Sequence, residues 1–198
     1  MLTDDQIDRY SRQIVVPEIG GRGQERLLRA EVAIEGGGDA ALVCASYLAG
    51  AGLGSLSLGG VDPRCELGDV LGLETRNPDC RVLRAPVQPS VMIVIGQVPP
   101  RFPREVAVLW GTTNGDWLRR AYLPPGRGCA PCLSNLAGRR PPEESFPQIL
   151  GAVLALDALR TLLELSPNEP PTLVEIDLAR LAYRSLPFPA RAECSLCH

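Results

Sequence analysis

The chain has 198 residues, a formal net charge of −3 and 45% hydrophobic content, enough for one domain with a sizeable core. The acidic balance and the lack of a dense basic stretch argue against a dedicated nucleic-acid binder. No apolar run reaches the roughly 18 residues of a membrane span, and the polar N-terminus is unlike a signal peptide, so the expectation is a cytoplasmic protein that engages neither nucleic acid nor membrane.

Residues 3–14 are predicted to be helical, with Thr3 as N-cap and Asp4 and Asp5 in the first turn, where the helix dipole favours negative charge. A second short helix is predicted over 22–30. Glu31 to Glu35 carries Val32, Ala33 and Ile34 as a short strand, and Gly36-Gly37-Gly38-Asp39-Ala40-Ala41 then turns into an apolar helix running through Leu48 to Ala51. Gly52 ends that helix, and Ser55 to Leu58 forms a second strand leading to Val61-Asp62. The strand, glycine turn, helix and strand make a parallel β-α-β unit. Gly36, Gly38 and Ala41 form G-x-G-x-x-A, a variant of the dinucleotide fingerprint, and Asp62 stands where an acid accepts hydrogen bonds from ribose hydroxyls. Asp39 opposes phosphate binding, because a carboxylate at the helix mouth caps the helix itself and repels like charge. Two readings stay open here: a nucleotide site, and a Rossmann-like turn that binds nothing.

Further along, Val91 to Ile95 is an apolar strand followed by Gly96-Gln97. Pro99 to Arg104 is proline-rich, and Val106 to Trp110 resumes as a strand. Cys44 in the apolar helix and Cys80 in a strand read as buried packing thiols. Cys65 sits on a loop with no His or Lys partner in view. Ile149 to Leu165 has the broad apolar face of a helix packed across a sheet. After a turn at Pro167 to Pro171, Thr172 to Ile176 and Leu181 to Leu186 read as two strands around Asp177. All 20 basic residues are arginine, a bias that a GC-rich genome produces. No lysine ammonium is therefore available for phosphate contact, a Schiff base or an isopeptide bond.

Two identical pairs, Cys129-x-x-Cys132 and Cys194-x-x-Cys197, carry the strongest chemical signal. Each pair can point two thiolates at one tetrahedral metal, and together they complete a closed four-sulfur zinc site with no position for substrate. Such a site is structural, and would tie the tail to the middle of the chain. In small zinc domains the metal contributes ~10 kcal/mol or more to folding, and less where the fold is preformed. The alternative is two unrelated thiol pairs or a disulfide redox motif. Seven cysteines, an odd number without a secretion signal, fit reduced thiols and metal better than a disulfide framework.

Arg9-Tyr10-Ser11-Arg12-Gln13-Ile14, Pro17-Glu18-Ile19-Gly20, Gly23-Gln24, the glycine turn, Ala49-Gly50-Ala51-Gly52-Leu53-Gly54, Val61-Asp62 and the two cysteine pairs occur in an order that resembles the ThiF/MoeB/HesA family, the prokaryotic relatives of ubiquitin-activating enzymes. The resemblance implies an α/β fold: a Rossmann-like, doubly wound, mostly parallel sheet with N-terminal helices and a C-terminal β-hairpin clamped by the four-cysteine zinc site. It implies one domain over 1–198, with a helical arm at 1–30, a truncated nucleotide-binding-type core at 31–128 and a zinc-clamped helix and hairpin at 129–198. Family members adenylate the C-terminal glycine of a ubiquitin-like or sulfur-carrier protein, using ATP and magnesium. By that resemblance Gly36 and Gly38 match the phosphate loop, Asp62 matches the ribose-binding acid, and Arg12 matches an arginine that reaches the partner's ATP across a dimer. Periodicity alone would leave Arg9 and Arg12 on a solvated helix face.

The departures from the family are severe. The segment from Asp62 to Asn77-Pro78 has lost the family's arginine finger and lysine, and Arg64 or Arg76 could substitute only through a repositioned loop. Gln97 follows the strand where the family carries a magnesium-binding aspartate, so a hard oxygen ligand is missing. The crossover loop Leu133 to Phe146 has no cysteine nucleophile, and His198 reads as a chain end or an occasional metal ligand. The expectation is a catalytically degenerate partner or scaffold subunit, in a homodimer or in a heterodimer with a full-length ThiF-like enzyme. The alternative is an active ATP-dependent adenylyltransferase. A dinucleotide-dependent oxidoreductase ranks last, since it explains neither the N-terminal pattern nor the cysteine pairs.

Overall fold

The computed structural model describes residues 1–59, 72, 76–83, 85, 86, 88–137, 145–165, 169–188 and 194. The strands are β1 Glu31–Glu35, β2 Ser55–Gly59, β3 Arg81–Leu83, β4 Val91–Ile95, β5 Ala107–Asn114, β6 Trp117–Leu123, β7 Thr172–Asp177 and β8 Ala182–Pro187. They form one eight-stranded sheet in the order β3-β2-β1-β4-β5-β6-β7-β8. From β3 through β5 all neighbours are parallel, and β6, β7 and β8 extend the sheet antiparallel. The architecture is the expected Rossmann-like, mostly parallel α/β sheet.

Burial explains which sequences became which strands. β4 is buried along its whole length and β1 nearly so, as central parallel strands covered on both faces must be, and both read as continuous apolar runs. β6 instead alternates exposed and buried residues at its start, the habit of an antiparallel strand with one wetter face. It went unread in the sequence. It enters through a two-residue turn, Gly115-Asp116, with Asn114 paired to Trp117 and Gly115 at φ +57, and glycine at the first position of a two-residue loop is a hairpin signal.

Among the described residues, the helices with full bounds are α1 Asp4–Arg9, α2 Ser11–Ile14, α3 Gly20–Arg29, α4 Gly38–Gly50, α5 Ala130–Ala137 and α6 Pro147–Leu162. Thr3 caps α1 as expected, in a reciprocal box in which Gln6 N–H donates to Thr3 Oγ1 (3.3 Å) and Thr3 N–H donates to Gln6 Oε1 (3.1 Å). The single helix expected over 3–14 is broken at Tyr10, whose ring is drawn into the core at 1% exposure. α4 and α6 pack on one face of the sheet with a shared apolar core. Gly151 lets them approach, since a Cβ there would lie 2.5 Å from the Ala40 carbonyl oxygen. α5 covers the other face, against Trp110, Leu173 and Phe188.

Three local expectations are corrected. Leu133 to Ala137 is helical rather than loop, because α5 buries Leu133 against the second core. Cys80 is buried as expected but precedes β3 instead of lying within it. Gly37, not Asp39, is the N-cap of α4, and Asp39 lies exposed in its first turn. The hairpin β7–β8 agrees with the sequence: Asp177 Oδ1 accepts from the N–H groups of Ala179 and Arg180 at 3.1 and 3.0 Å and closes the turn. Between β4 and β5 the chain runs without a helix, matching the proline-rich reading. Among the described residues no helix is long and apolar enough to cross a membrane.

Candidate functional site

Ligands of open parallel sheets settle at the carboxyl ends of the strands, where successive connections leave in opposite directions. Here that point lies between β1 and β4, and a pocket of about 400 Å³ opens there. One wall is the turn Gly36-Gly37-Gly38, a second is Ile95-Gly96-Gln97, and Thr112, Thr113, Pro147 and Leu150 close it. Gly36 sits at φ +121, and a Cβ there would fall 2.5 Å from the Ile95 carbonyl oxygen. Only glycine fits so close a crossing. Its N–H donates to the Gly59 carbonyl at 2.9 Å, tying the turn to the end of β2. Gly38, at φ +78, opens α4, so the unpaired amides of a helix N-terminus face the region of the turn. On the other wall, the Gly96 carbonyl accepts from the buried Trp110 indole N–H at 2.9 Å, and Gly96 N–H donates to Gly111 O at 2.8 Å.

The chemistry of this lining is distinctive. Among the described residues it contains no ionisable side chain: glycine, alanine, isoleucine, leucine and proline are joined only by Gln97, Thr112 and Thr113. Backbone amides at the turn can hold an anion. Magnesium fits poorly, because the described lining supplies amide, hydroxyl and carbonyl oxygens but no carboxylate. Asp39 is exposed and does not line the pocket. Asp62, Arg64 and Cys65 lie outside the described residues, and Arg76 is exposed. The sequence missed Thr112, Thr113 and Pro147 as lining residues. The run Gly111-Thr112-Thr113-Asn114 at the carboxyl end of a parallel strand was the available signal.

Three thiols form the second centre. Cys129 and Cys132 are buried at the start of α5, and Cys194 reaches them from the C-terminal tail, with all three sulfurs within 4.8 Å of one another. Cys129 Sγ and Cys194 Sγ are 3.4 Å apart. Around one zinc with Zn–S near 2.3 Å, tetrahedral thiolates stand roughly 3.8 Å apart, so this donor set fits three corners of a metal site. Cys197 and His198 lie outside the described residues. Burial pushes the Cys44 thiol up, inside α4 and away from this cluster.

The helical arm is locked to the core by residues the sequence could not pair. The Tyr10 hydroxyl shares its proton between Asn77 Oδ1 (3.0 Å) and Asp79 Oδ2 (2.9 Å). Asn77 Nδ2 donates to the Ala49 carbonyl at 2.6 Å, and Gln6 Nε2 donates to Asp79 Oδ1 at 3.1 Å. Arg9 forms a close ion pair with Asp79, so it is not merely a solvated residue. Burial opposes ionisation of Asp79, but hydrogen bonds from Gln6, Tyr10 and Arg9 together hold its carboxyl below the usual range. Burial likewise pushes the Tyr10 phenol up to about 12. Arg12 is exposed on α2, lines no part of the pocket in its own chain, and has no ion pair among the described residues. Replacing Tyr10 by Phe strands Asn77 and Asp79, and the expected loss is about 1–3 kcal/mol. Urea unfolding checks this, and an unchanged midpoint would show that the lock is not energetically significant.

No protein-family profile matches the chain. Among characterised proteins it is similar to the adenylyltransferase and sulfurtransferase MOCS3 of Sus scrofa, 53% identical over 57 residues; these are 29% of this chain and 12% of that relative's length. The sulfur carrier protein adenylyltransferase of Thermus thermophilus aligns over 251 positions at 25% identity, covering 98% of this chain and 92% of the relative. Among solved structures, E. coli MccB with ATP superposes with a TM-score of 0.69 at 17% identity, over 96% of this chain and 73% of that one. PaaA superposes with a TM-score of 0.70 at 15% identity, over 95% and 84% respectively. At these identities the structural likenesses establish the fold alone.

Proposed function

We propose that the chain, which is similar to an adenylyltransferase and sulfurtransferase and to a sulfur carrier protein adenylyltransferase, is a shortened and divergent relative of the ThiF/MoeB/HesA family. It serves the ATP-dependent activation of a ubiquitin-like or sulfur-carrier protein as a catalytically degenerate partner or scaffold subunit. The observation that carries this reading is the pocket at the glycine turn, whose described lining offers no charged side chain to a triphosphate or to magnesium. Gln97 stands at the strand end where the family holds its metal-binding carboxylate. Arg12, exposed and without an ion pair among the described residues, is available to a neighbouring subunit in a homodimer or in a heterodimer with a full-length relative. Cys129, Cys132, Cys194 and Cys197 would hold one structural zinc, which the three gathered thiols support. The chain is read as one cytoplasmic domain over 1–198.

A second reading, an active adenylyltransferase, is favoured by the 53% identical segment shared with an adenylyltransferase and by the intact glycine turn. In that case Gly36, Gly38 and Asp62 would hold the nucleotide. Calorimetric titration of the zinc-loaded chain with ATP and magnesium separates the two. The expected result is no saturable heat from the wild type, whether or not Asp39→Gly restores some. Micromolar binding by the wild type would sink the degenerate reading. In a reconstituted pair, Arg12→Ala should slow the partner's ATP turnover, and an unchanged rate would remove the trans-acting arginine.

A further inference from the structure

A second cavity, of about 320 Å³, lies at the other end of the strands from the glycine turn, beside Ser90 and the start of β5. It shares no lining residue with the first pocket, and its size is at the lower end of small-molecule sites, roughly 300–1,000 Å³. Unlike the first pocket it is strongly charged. Arg120 of β6 places Nη1 at 2.8 Å from Asp157 Oδ2, and Arg160, one turn on in α6, places Nη1 at 3.9 Å from Asp157 Oδ1. Two guanidiniums therefore face one carboxylate. The Arg120 side chain is only 17% exposed, and Asp157 is its one ion-pair partner among the described residues. A guanidinium carries five N–H donors in a fixed fork, so most of the donor capacity of Arg120 remains for something in the cavity.

Glu169 supplies the other pole. It lines the same cavity and has no ion pair among the described residues, whereas Glu164 at the mouth is held by Arg26 at 3.0 Å. Glu169 lies close enough to Tyr122 that its charge adds to burial in raising that phenol, and it also acts on Asp157. A half-buried carboxylate such as Glu169, without an ion pair among the described residues, is costly. A simple anion would suit the arginines and leave Glu169 exposed to repulsion. A simple amine would do the reverse.

We propose that this cavity binds a small zwitterion of the α-amino-acid type, its carboxylate on the Arg120–Arg160 side and its ammonium on the Glu169 side. The proposal does not depend on the fate of the nucleotide reading, since the two pockets lie at opposite ends of the strands and share no lining residue. The test is calorimetric titration of the full chain with each of the twenty free L-amino acids, followed by the amide and the deaminated acid of the tightest binder. Saturable binding of at least one amino acid is expected, weakened about tenfold or more when either ligand charge is removed, as charge-assisted contacts require. Glu169→Gln and Arg160→Gln should each weaken it to a similar extent while the melting temperature stays near that of the wild type. Excess ATP should not displace it. The proposal is overturned if no amino acid binds saturably, if affinity is indifferent to the ligand's charges or to both variants, or if ATP competes.

Discussion

Gly52→Ala is expected to destabilise the protein by about 3–5 kcal/mol, because two independent costs fall on one methyl group. Gly52 ends α4 at φ +87, a conformation that L side chains rarely adopt. A Cβ built there would also sit 2.4 Å from Gln24 Nε2 and 2.6 Å from two carbons of the Tyr10 ring. Neither neighbour can yield cheaply. Gln24 Nε2 donates to the Ala51 carbonyl at 3.1 Å, and Tyr10 is held by Asn77 and Asp79. Against a typical domain stability of about 5–15 kcal/mol, the loss would leave a marginal fold or a chain whose helical arm has come loose. Gly21→Ala is the companion variant: it lies within α3 with nothing within 4 Å of the added carbon, and should be neutral or gain up to about 1 kcal/mol from helix propensity. Urea midpoints for the two variants decide the matter. If Gly52→Ala unfolds at the wild-type midpoint, the packing of Tyr10 on this turn does not hold the arm.

That contact also marks the limit of what could be read from residues in order. The β1–α4–β2 unit was legible because each piece carries a local signal: an apolar run, glycines at the turn, and a glycine stop. α6 and the β7–β8 hairpin were legible for the same reason. The arm's lock was not, since Tyr10 meets Asn77 and Asp79 across nearly seventy positions, and no spacing rule pairs them. β6 was obscured by its two central arginines, which look like a solvated segment. Arg119 instead pairs with the buried Glu175 at 2.9 Å across the neighbouring strand, and Arg120 turns inward to Asp157. A charged residue advertises exposure until its partner is known. α5 was hidden differently: it starts between Cys129 and Cys132, where the cysteine spacing signals a metal site and only a short apolar face around Leu133 signals a helix.

The glycine turn and the cysteine cluster place different demands on the same sheet. The first pocket needs its glycines for close backbone approach, and it survives in shape while its described lining has no charge. Shape alone is therefore weak evidence of turnover, since phosphoryl and adenylyl chemistry rests chiefly on positioned charge. The thiol cluster is the opposite case, because its donor atoms are themselves the function. Its position under the second core, beside Trp110, Leu133 and Phe188, means that a metal there would fix the face of the sheet that lacks long helices.

Loss of that metal is the other change expected to have a large effect. Zinc-replete protein should carry one zinc per chain by elemental analysis, and Cys132→Ser should abolish stoichiometric binding. Cys132 is buried in the second core within 4.8 Å of Cys129 and Cys194, so its removal costs both a ligand bond and the anchoring of the tail. A loss of roughly 4 kcal/mol or more is expected, as for other structural metal ligands. In a domain of this size that corresponds to a fall of about 10 °C in Tm. Two further variants give the result its meaning. Cys44→Ser is buried in α4 away from the cluster; it should lose stability yet keep its zinc, which separates a metal effect from a packing effect. Cys197→Ser should lose zinc as Cys132→Ser does if the fourth ligand is a thiolate. Zinc retained at full stoichiometry in Cys197→Ser would mean that His198 or water completes the site. A wild-type protein that takes up no zinc, with an unchanged Tm on chelation, would remove the metal and leave the paired cysteines to thiol–disulfide chemistry.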